Sequence, residues 1–254
     1  MIDANVPLPR IGVLVIGDEI LSGKRQDRHF AHVVATLAKR GLAAAWAHYE
    51  GDDREALTRT LRASFASGDI VLSFGGVGAT PDDHTRQAAA AALGVPLAPH
   101  PEAVAALEAQ FGKAAYPHRV HMAEFPAGAT IIPNPVNRVA SFSVRDHHFF
   151  PGFPQMAWPM VEWVLDTNYR DRFNAQAWKE QSILVFEAGE SQLIPAMQAV
   201  EAAFKSIKVF SLPSMGQDGS RIHVELGVRG DPAQVEPAMQ KLRQMVGDAG
   251  FPYK

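Results

Sequence analysis

The chain contains no cysteine. That absence excludes thiolate nucleophiles, disulfides, zinc–cysteine sites and cysteine-ligated iron–sulfur clusters. No apolar run approaches the roughly 18–20 residues that a membrane helix needs. Met1-Ile2-Asp3-Ala4-Asn5 lacks the basic start and apolar core of a signal peptide. Basic excess is missing too: 24 Lys and Arg stand against 27 Asp and Glu, a net charge of −3. Nucleic-acid binding through bulk electrostatics is therefore not expected. The expectation is a soluble, cytoplasmic protein with neither nucleic acid nor membrane as partner. Its 254 residues, 47% hydrophobic and 20% charged, have room for a medium domain plus a small one.

What is present alternates between two periods. Ile11–Ile16 reads as a strand closed by Gly17-Asp18. A helix opens near Asp27, with Phe30, Val33, Val34 and Leu37 on one face and Gly41 as its stop. Leu42–His48 reads as a strand, Gly51-Asp52-Asp53 opens a helix carrying Leu57, Leu61 and Phe65, and Asp69–Phe74 is a buried strand. Such alternation predicts βαβ units and a mostly parallel sheet with helices on both faces. Ligands then bind beyond the carboxyl ends of the strands. Gly17–Lys24, His48–Asp53 and Gly75–Asp83 thus converge on one edge.

Thr85–Leu93 and Pro101–Phe111 read as helices, and 129–132, 139–144 and 147–150 as short strands. Pro154–Tyr169, packed by Met156, Trp158, Met160, Trp163 and Val164, closes a first domain over 1–171. Residues 172–254 hold strands at 182–186, 208–212 and 221–228 and helices at 191–204 and 232–246. Their order, β-α-β-β-α, predicts a small α+β unit.

Between the third strand and the next helix lies Gly75-Gly76-Val77-Gly78-Ala79-Thr80-Pro81-Asp82-Asp83. Three glycines in four positions permit positive φ and close ligand approach. Successive amides in such a turn, ahead of a helix, form an anion cradle, and phosphate is the natural occupant. Thr80 and Pro81 also read as a helix N-cap and first residue, with Asp83 completing a capping box. Two carboxylates beside a phosphate would repel it unless a divalent cation stands between, so Asp82 and Asp83 are candidate metal-facing residues. In the first loop, Gly17, Asp18, Glu19, Ser22, Gly23 and Lys24 combine acids, a hydroxyl and a base. Lys24 is placed to offset phosphate charge. Asp52 and Asp53 follow the second strand, one in a functional role and Asp52 a candidate cap. His29/His32, His118/His121 and His147-His148 lack a carboxylate in a ligand pattern, so a histidine metal site is not expected. Trp158 and Trp163 read as core.

Taken together, Gly17-Asp18-Glu19-Ile20-Leu21-Ser22-Gly23, the block Gly75-Gly76-x-Gly78-x-Thr80-x-Asp82-Asp83-x-Thr85, Asn134-Pro135 and Pro151-Gly152-x-Pro154 resemble the molybdopterin-binding domain family. Within it they are most similar to the amino-terminal domain of competence/damage-inducible protein A and the related domain of FAD synthase. The carboxyl-terminal unit resembles the KH-like domain that follows in that subgroup. The resemblance implies a three-layer α/β/α domain, a homo-oligomer (dimer or trimer), and a small-molecule nucleotide or pterin ligand, molybdopterin included. It adds Val77, Ala79, Asn134 and Pro135 to the ligand-binding set. It implies a divalent-metal-dependent (Mg²⁺ or similar) pyrophosphatase on ADP-ribose- or FAD-like dinucleotides, with Asp53, Asp82 and Asp83 catalytic and Asp18, Asp82 and Asp83 at the metal. The alternatives are molybdopterin binding or adenylyl transfer in cofactor biosynthesis, and a binding protein without turnover. Ala79, His29 and Gln155 depart from the family's usual proline, asparagine and acid, as a protein that binds without turnover would, and Asn137 stands where a glycine is usual. The nicotinamide-nucleotide deamidase domain often found in the subgroup has no room in 254 residues, so deamidation is not expected.

Overall fold

A computed structural model describes residues 10–173, 179–216, 219 and 221–254. The leader reading at Met1–Asn5 lies outside the described residues. The chain forms two compact units, Met1–Phe173 and Asn174–Lys254.

The first unit begins with β1 (Ile11–Ile16), α1 (Asp18–Leu21), α2 (His29–Ala38), β2 (Ala44–Glu50), α3 (Arg54–Ser67) and β3 (Ile70–Phe74). It continues through α4 (Thr85–Leu93), β4 (Leu97–Pro99), α5 (Pro101–Phe111), β5 (Glu124–Pro126) and β6 (Thr130–Ile132). It closes with β7 (Ser141–Val144), β8 (His147–Phe150) and α6 (Pro154–Asn168). Six strands form one sheet in the order β2-β1-β3-β8-β7-β6. The pairs β1–β2, β1–β3 and β3–β8 are parallel, and β7 and β6 extend the sheet antiparallel. This is the mostly parallel α/β architecture that the alternation predicts.

Every residue of β1 and β3 is buried, because helices cover both faces. Val13, Val15, Leu72, Phe74 and Phe150 pack beneath α2 and α6. Leu14, Ile16, Val71 and Phe149 pack beneath α3, α4 and α5. Each such side chain contributes about 1.5–3 kcal/mol by leaving water, which makes the sheet the rigid base for the loops at its edge.

Three local readings are corrected. Asp53, not Asp52, caps α3, its Oδ1 accepting the Ala56 amide at 2.7 Å. Val34 and Trp163 are not core: they are 42% and 39% exposed. α2 buries Val33 and Leu37, and Val34 lies about 100° round from Val33; α6 buries Met160, Val161, Val164 and Leu165, with Trp163 on the opposite side. Thr80 does not cap α4, which starts at Thr85. The Asp83 carboxylate reaches back to the Thr80 amide at 2.8 Å, as a capping box requires, but it also takes the Thr80 hydroxyl. That hydroxyl is spent on a carboxylate instead of a helix amide, and residues 80–83 form a separate turn closed by Asp83 N–H to Thr80 O.

The second unit comprises β9 (Lys179–Phe186), α7 (Glu190–Ala203), β10 (Ile207–Ser214), β11 (His223–Gly230) and α8 (Pro232–Asp248). Its sheet, β10-β11-β9, is antiparallel. Val185, Leu226, Val228, Met239 and Leu242 fill its core, as the α+β reading requires.

Candidate functional site

The carboxyl ends of the four parallel strands lie at one edge. There the Gly17 amide donates to Glu50 O and the Gly75 amide to Phe150 O, both at 3.0 Å. These bonds join the loops after β1 and β2, and those after β3 and β8. The convergence read from strand order is met, and Pro151–Phe153 is a fourth contributor.

The loop after β3 has its peptide planes fixed from within. Gly75 O accepts the Thr85 hydroxyl at 2.9 Å, Gly76 O accepts the Thr85 amide at 3.0 Å, and Gly78 O accepts Arg86 Nη2 at 2.6 Å. These peptides are trans, so each N–H points opposite to its C=O. With three carbonyls drawn toward α4, the amides of Gly76, Val77 and Ala79 are turned away from it. Among the described residues, none of the four amides from Gly76 to Ala79 donates to a protein acceptor. Consecutive free amides on a constrained turn are an anion nest. The fold demands glycine at its start. Gly75 has φ 101°, and a Cβ there would stand 2.2 Å from Ile16 O; Gly76 has φ 64°, and its Cβ would stand 2.3 Å from Thr85 Oγ1.

Arg86 is the residue that sequence reasoning missed. It is 2% exposed and also donates to His121 O and to Glu124 O, tying the loop to the start of β5 and the turn before it. The available signal was a lone guanidinium in an otherwise Ala-rich helix, Thr-Arg-Gln-Ala-Ala-Ala-Ala-Ala-Leu.

The acids divide by role. The Asp18 amide donates to Asp52 Oδ2 at 2.9 Å, and the Asp52 amide returns a bond to Asp18 Oδ1 at 3.2 Å. Burial raises the Asp52 carboxyl above its ordinary pKa, and the charges of Asp18, Glu19 and Asp82 push it the same way, against the lowering effect of the Asp18 amide. Asp18, Glu19 and Asp82 are therefore each within electrostatic reach of Asp52. Asp82 is exposed, and the polar turn around Thr80, Asp82's own amide included, keeps its carboxyl below the usual range. Asp83 is committed to Thr80, and Asp53 to its helix. Among the described residues, no three His, Asp or Glu side chains gather into a cation cage.

Ser22, Gly23 and Lys24 are exposed just after α1, and Lys24 makes no ion pair among the described residues. Asn134 is buried: its Nδ2 donates to Val139 O at 3.1 Å and its Oδ1 accepts the Val136 amide at 3.0 Å. It thus shapes the loop that contains Pro135. His29, 5% exposed, stacks on Phe74 at 4.4 Å and donates Nε2–H to Gly152 O at 3.1 Å. Burial lowers its pKa, so the ring is a neutral strut. Tyr49 donates to Asp27 at 2.8 Å, and burial together with that bond raises its pKa to about 12.

The sequence profile described as "Probable molybdopterin binding domain" matches residues 12–170. The chain belongs to this family. Among its relatives, a CinA-like protein of Geobacter sp. (strain M21) is 33% identical over 197 residues, 74% of this chain and 47% of the relative. A CinA-like protein of Escherichia coli (strain SMS-3-5 / SECEC) is 30% identical over 244 residues, 92% of this chain and 58% of the relative. The chain thus spans about half the length of the curated relatives it matches. The crystal structure of the protein CinA with unknown function from Thermoplasma acidophilum superposes with a TM-score of 0.58 at 26% identity, over 63% of this chain and 97% of that one. The resemblance read from the Gly17, Gly75, Asn134 and Pro151 segments is met, and the cradle at Gly76–Ala79 lies inside the matched molybdopterin-binding region.

Proposed function

We propose that the first unit binds the phosphate or diphosphate of a nucleotide or pterin, molybdopterin among the candidates, in the amide cradle from Gly76 to Ala79. One observation carries this reading: three loop carbonyls are turned inward by Thr85 and Arg86, which leaves amides facing outward with no protein acceptor among the described residues. An anion placed there meets several N–H dipoles that need no reorganisation. Titrating the full chain with inorganic pyrophosphate and ADP by calorimetry tests it. Saturable binding that Gly75→Ala abolishes is expected; heats no larger than dilution would sink the idea.

A second reading, divalent-metal-dependent cleavage of ADP-ribose- or FAD-like dinucleotides, is favoured by the carboxylates that perturb Asp52. Water would add to one phosphorus while its bond to the bridging oxygen breaks, giving AMP and a second phosphomonoester. The donors fit a hard cation such as Mg²⁺, which takes one or two carboxylates and completes its shell with water and phosphate oxygens. Asp82, exposed and ionised, and Asp18 are the residues that would hold it. When bound, such a cation supplies charge neutralisation and an acidified water. The chain's own part is to seat the diphosphate on the cradle, with Lys24 free to approach the leaving phosphate. AMP release from ADP-ribose or FAD, with Mg²⁺, Mn²⁺ or Co²⁺ and with chelator, decides it. Metal-dependent AMP supports hydrolysis; its absence alongside tight pterin-phosphate binding leaves a binding or adenylyl-transfer role.

A further inference from the structure

Phe153 stands at the N-cap of α6, between Gly152 and Pro154. Its backbone is held on every side. Phe150 O accepts the Gly75 amide at 3.0 Å, Gly152 O accepts His29 Nε2 at 3.1 Å, and Phe153 O accepts the amides of Met156 and Ala157 at 3.0 and 2.9 Å. Gly152 also lies against the phosphate loop: a Cβ built on it would be 3.7 Å from Gly75 Cα. The Phe153 side chain, however, is 57% exposed and has no aromatic partner among the described residues. The other phenylalanines of this edge, Phe74 and Phe150, are buried and stacked on each other at 5.2 Å.

We propose that Phe153 is the platform on which the planar heteroaromatic ring of the ligand, a purine or a pterin, stacks when its phosphate occupies the Gly76–Ala79 cradle. The proposal rests on the phosphate-binding reading and adds to it the recognition of the ring. A single exposed apolar side chain needs no explanation on an ordinary surface. Phe153 differs because its main chain is locked next to the phosphate loop, so the Cα from which the ring projects is held one residue from the Gly152–Gly75 approach. A benzyl group has only two side-chain torsions to immobilise, and its π face accepts any planar base without hydrogen-bond matching. Both purines and pterins carry such a face next to a phosphate-bearing arm.

The test uses the full chain and three probes in calorimetry: ADP, a pterin triphosphate, and inorganic pyrophosphate, which has no ring. Phe153→Ala is expected to weaken ADP or the pterin ligand by about ten- to a hundredfold while pyrophosphate binds as in the wild type. Whichever ring ligand loses affinity identifies the ring class. Phe153→Trp is expected to restore binding, with tryptophan emission quenched by the ring ligand and unchanged by pyrophosphate. Wild-type affinity of Phe153→Ala for both ring ligands overturns the platform. Equal weakening of pyrophosphate also overturns it, since Phe153 would then only shape the loop. If wild-type protein binds pyrophosphate but gains nothing from a ring, the platform falls and the cradle stands. If pyrophosphate itself fails to bind, both fall.

Discussion

The guanidinium of Arg86 holds the carbonyl oxygen of Gly78 at 2.6 Å and thereby sets the direction of the Ala79 amide on the far side of that peptide. Arg86→Met fills the space but removes every donor, leaving the carbonyls of Gly78, His121 and Glu124 without it. The expected destabilisation is about 2–4 kcal/mol, accompanied by loss of pyrophosphate affinity. Arg86→Lys, which can reach one carbonyl at a time, should fall between. Thermal melts with a parallel calorimetric titration check this; a stable Arg86→Met that binds normally shows that the peptide plane needs no such hold.

Gly75→Ala places a methyl group 2.2 Å from the Ile16 carbonyl at φ 101°. Neither atom is the end of a flexible side chain, so β1 or the loop must move. A cost above about 2 kcal/mol follows, a fall of at least roughly 4 °C in Tm for a unit of this size. Differential scanning calorimetry reads it directly, and an unchanged Tm contradicts the close approach of β1 to the loop.

How far the sequence could be read follows the reach of each signal. The continuous apolar runs of β1 and β3 could hardly be anything but buried parallel strands, and their order dictated where the loops would meet. The three glycines marked the cradle, and at Gly75 and Gly76 an L side chain is sterically barred. What stayed hidden depended on contacts distant in the chain or on local competition. Arg86 finds its carbonyls 35 and 38 residues away. The Thr80–Asp83 pattern was legible as a capping box, but nothing in four residues says that the threonine hydroxyl will choose the carboxylate over a helix amide. The cap read at Asp52 falls to Asp53, because Asp52 is taken up by a reciprocal bond with Asp18, 34 residues away.

Asp82 and Asp83 should separate by phenotype. Asp83 holds the Thr80 amide and hydroxyl, so Asp83→Asn weakens the turn and should lower stability by about 1–2 kcal/mol. Asp82 is exposed, so Asp82→Asn should leave the melting temperature nearly unchanged and strike only metal-dependent AMP release, by tenfold or more. Stability and turnover measured on both variants give the answer; full activity in Asp82→Asn removes it from the cation site.

The sheet carries an acid-labile element that the cradle does not use. His147 and His148 are 2% and 1% exposed, and burial lowers each to a pKa of about 4. His147 bonds to Ser64 at 2.5 Å and lies within electrostatic reach of His148, Asp146, Arg145 and Asp69. Tyr169 donates its proton to Asp146 at 2.8 Å, so its oxygen accepts His148 Nε2–H at 2.7 Å, and His148 Nδ1 accepts the Ser143 hydroxyl at 2.7 Å. That chain is complete only with a neutral imidazole. In the unfolded chain both rings titrate near 6.5. Above that pH neither state binds the protons, and the histidines leave stability flat. Between 6.5 and 4 the unfolded state takes up protons that the folded state refuses, so stability falls as pH falls, by up to about 3 kcal/mol for each ring. Urea midpoints followed by tryptophan emission should be level from pH 8 to 6.5 and drop steadily toward pH 4.5. In His148→Gln the amide can still bond to Ser143 and Tyr169 but cannot charge, so the drop should be clearly shallower. An acid limb of unchanged slope in that variant would assign the loss to other groups.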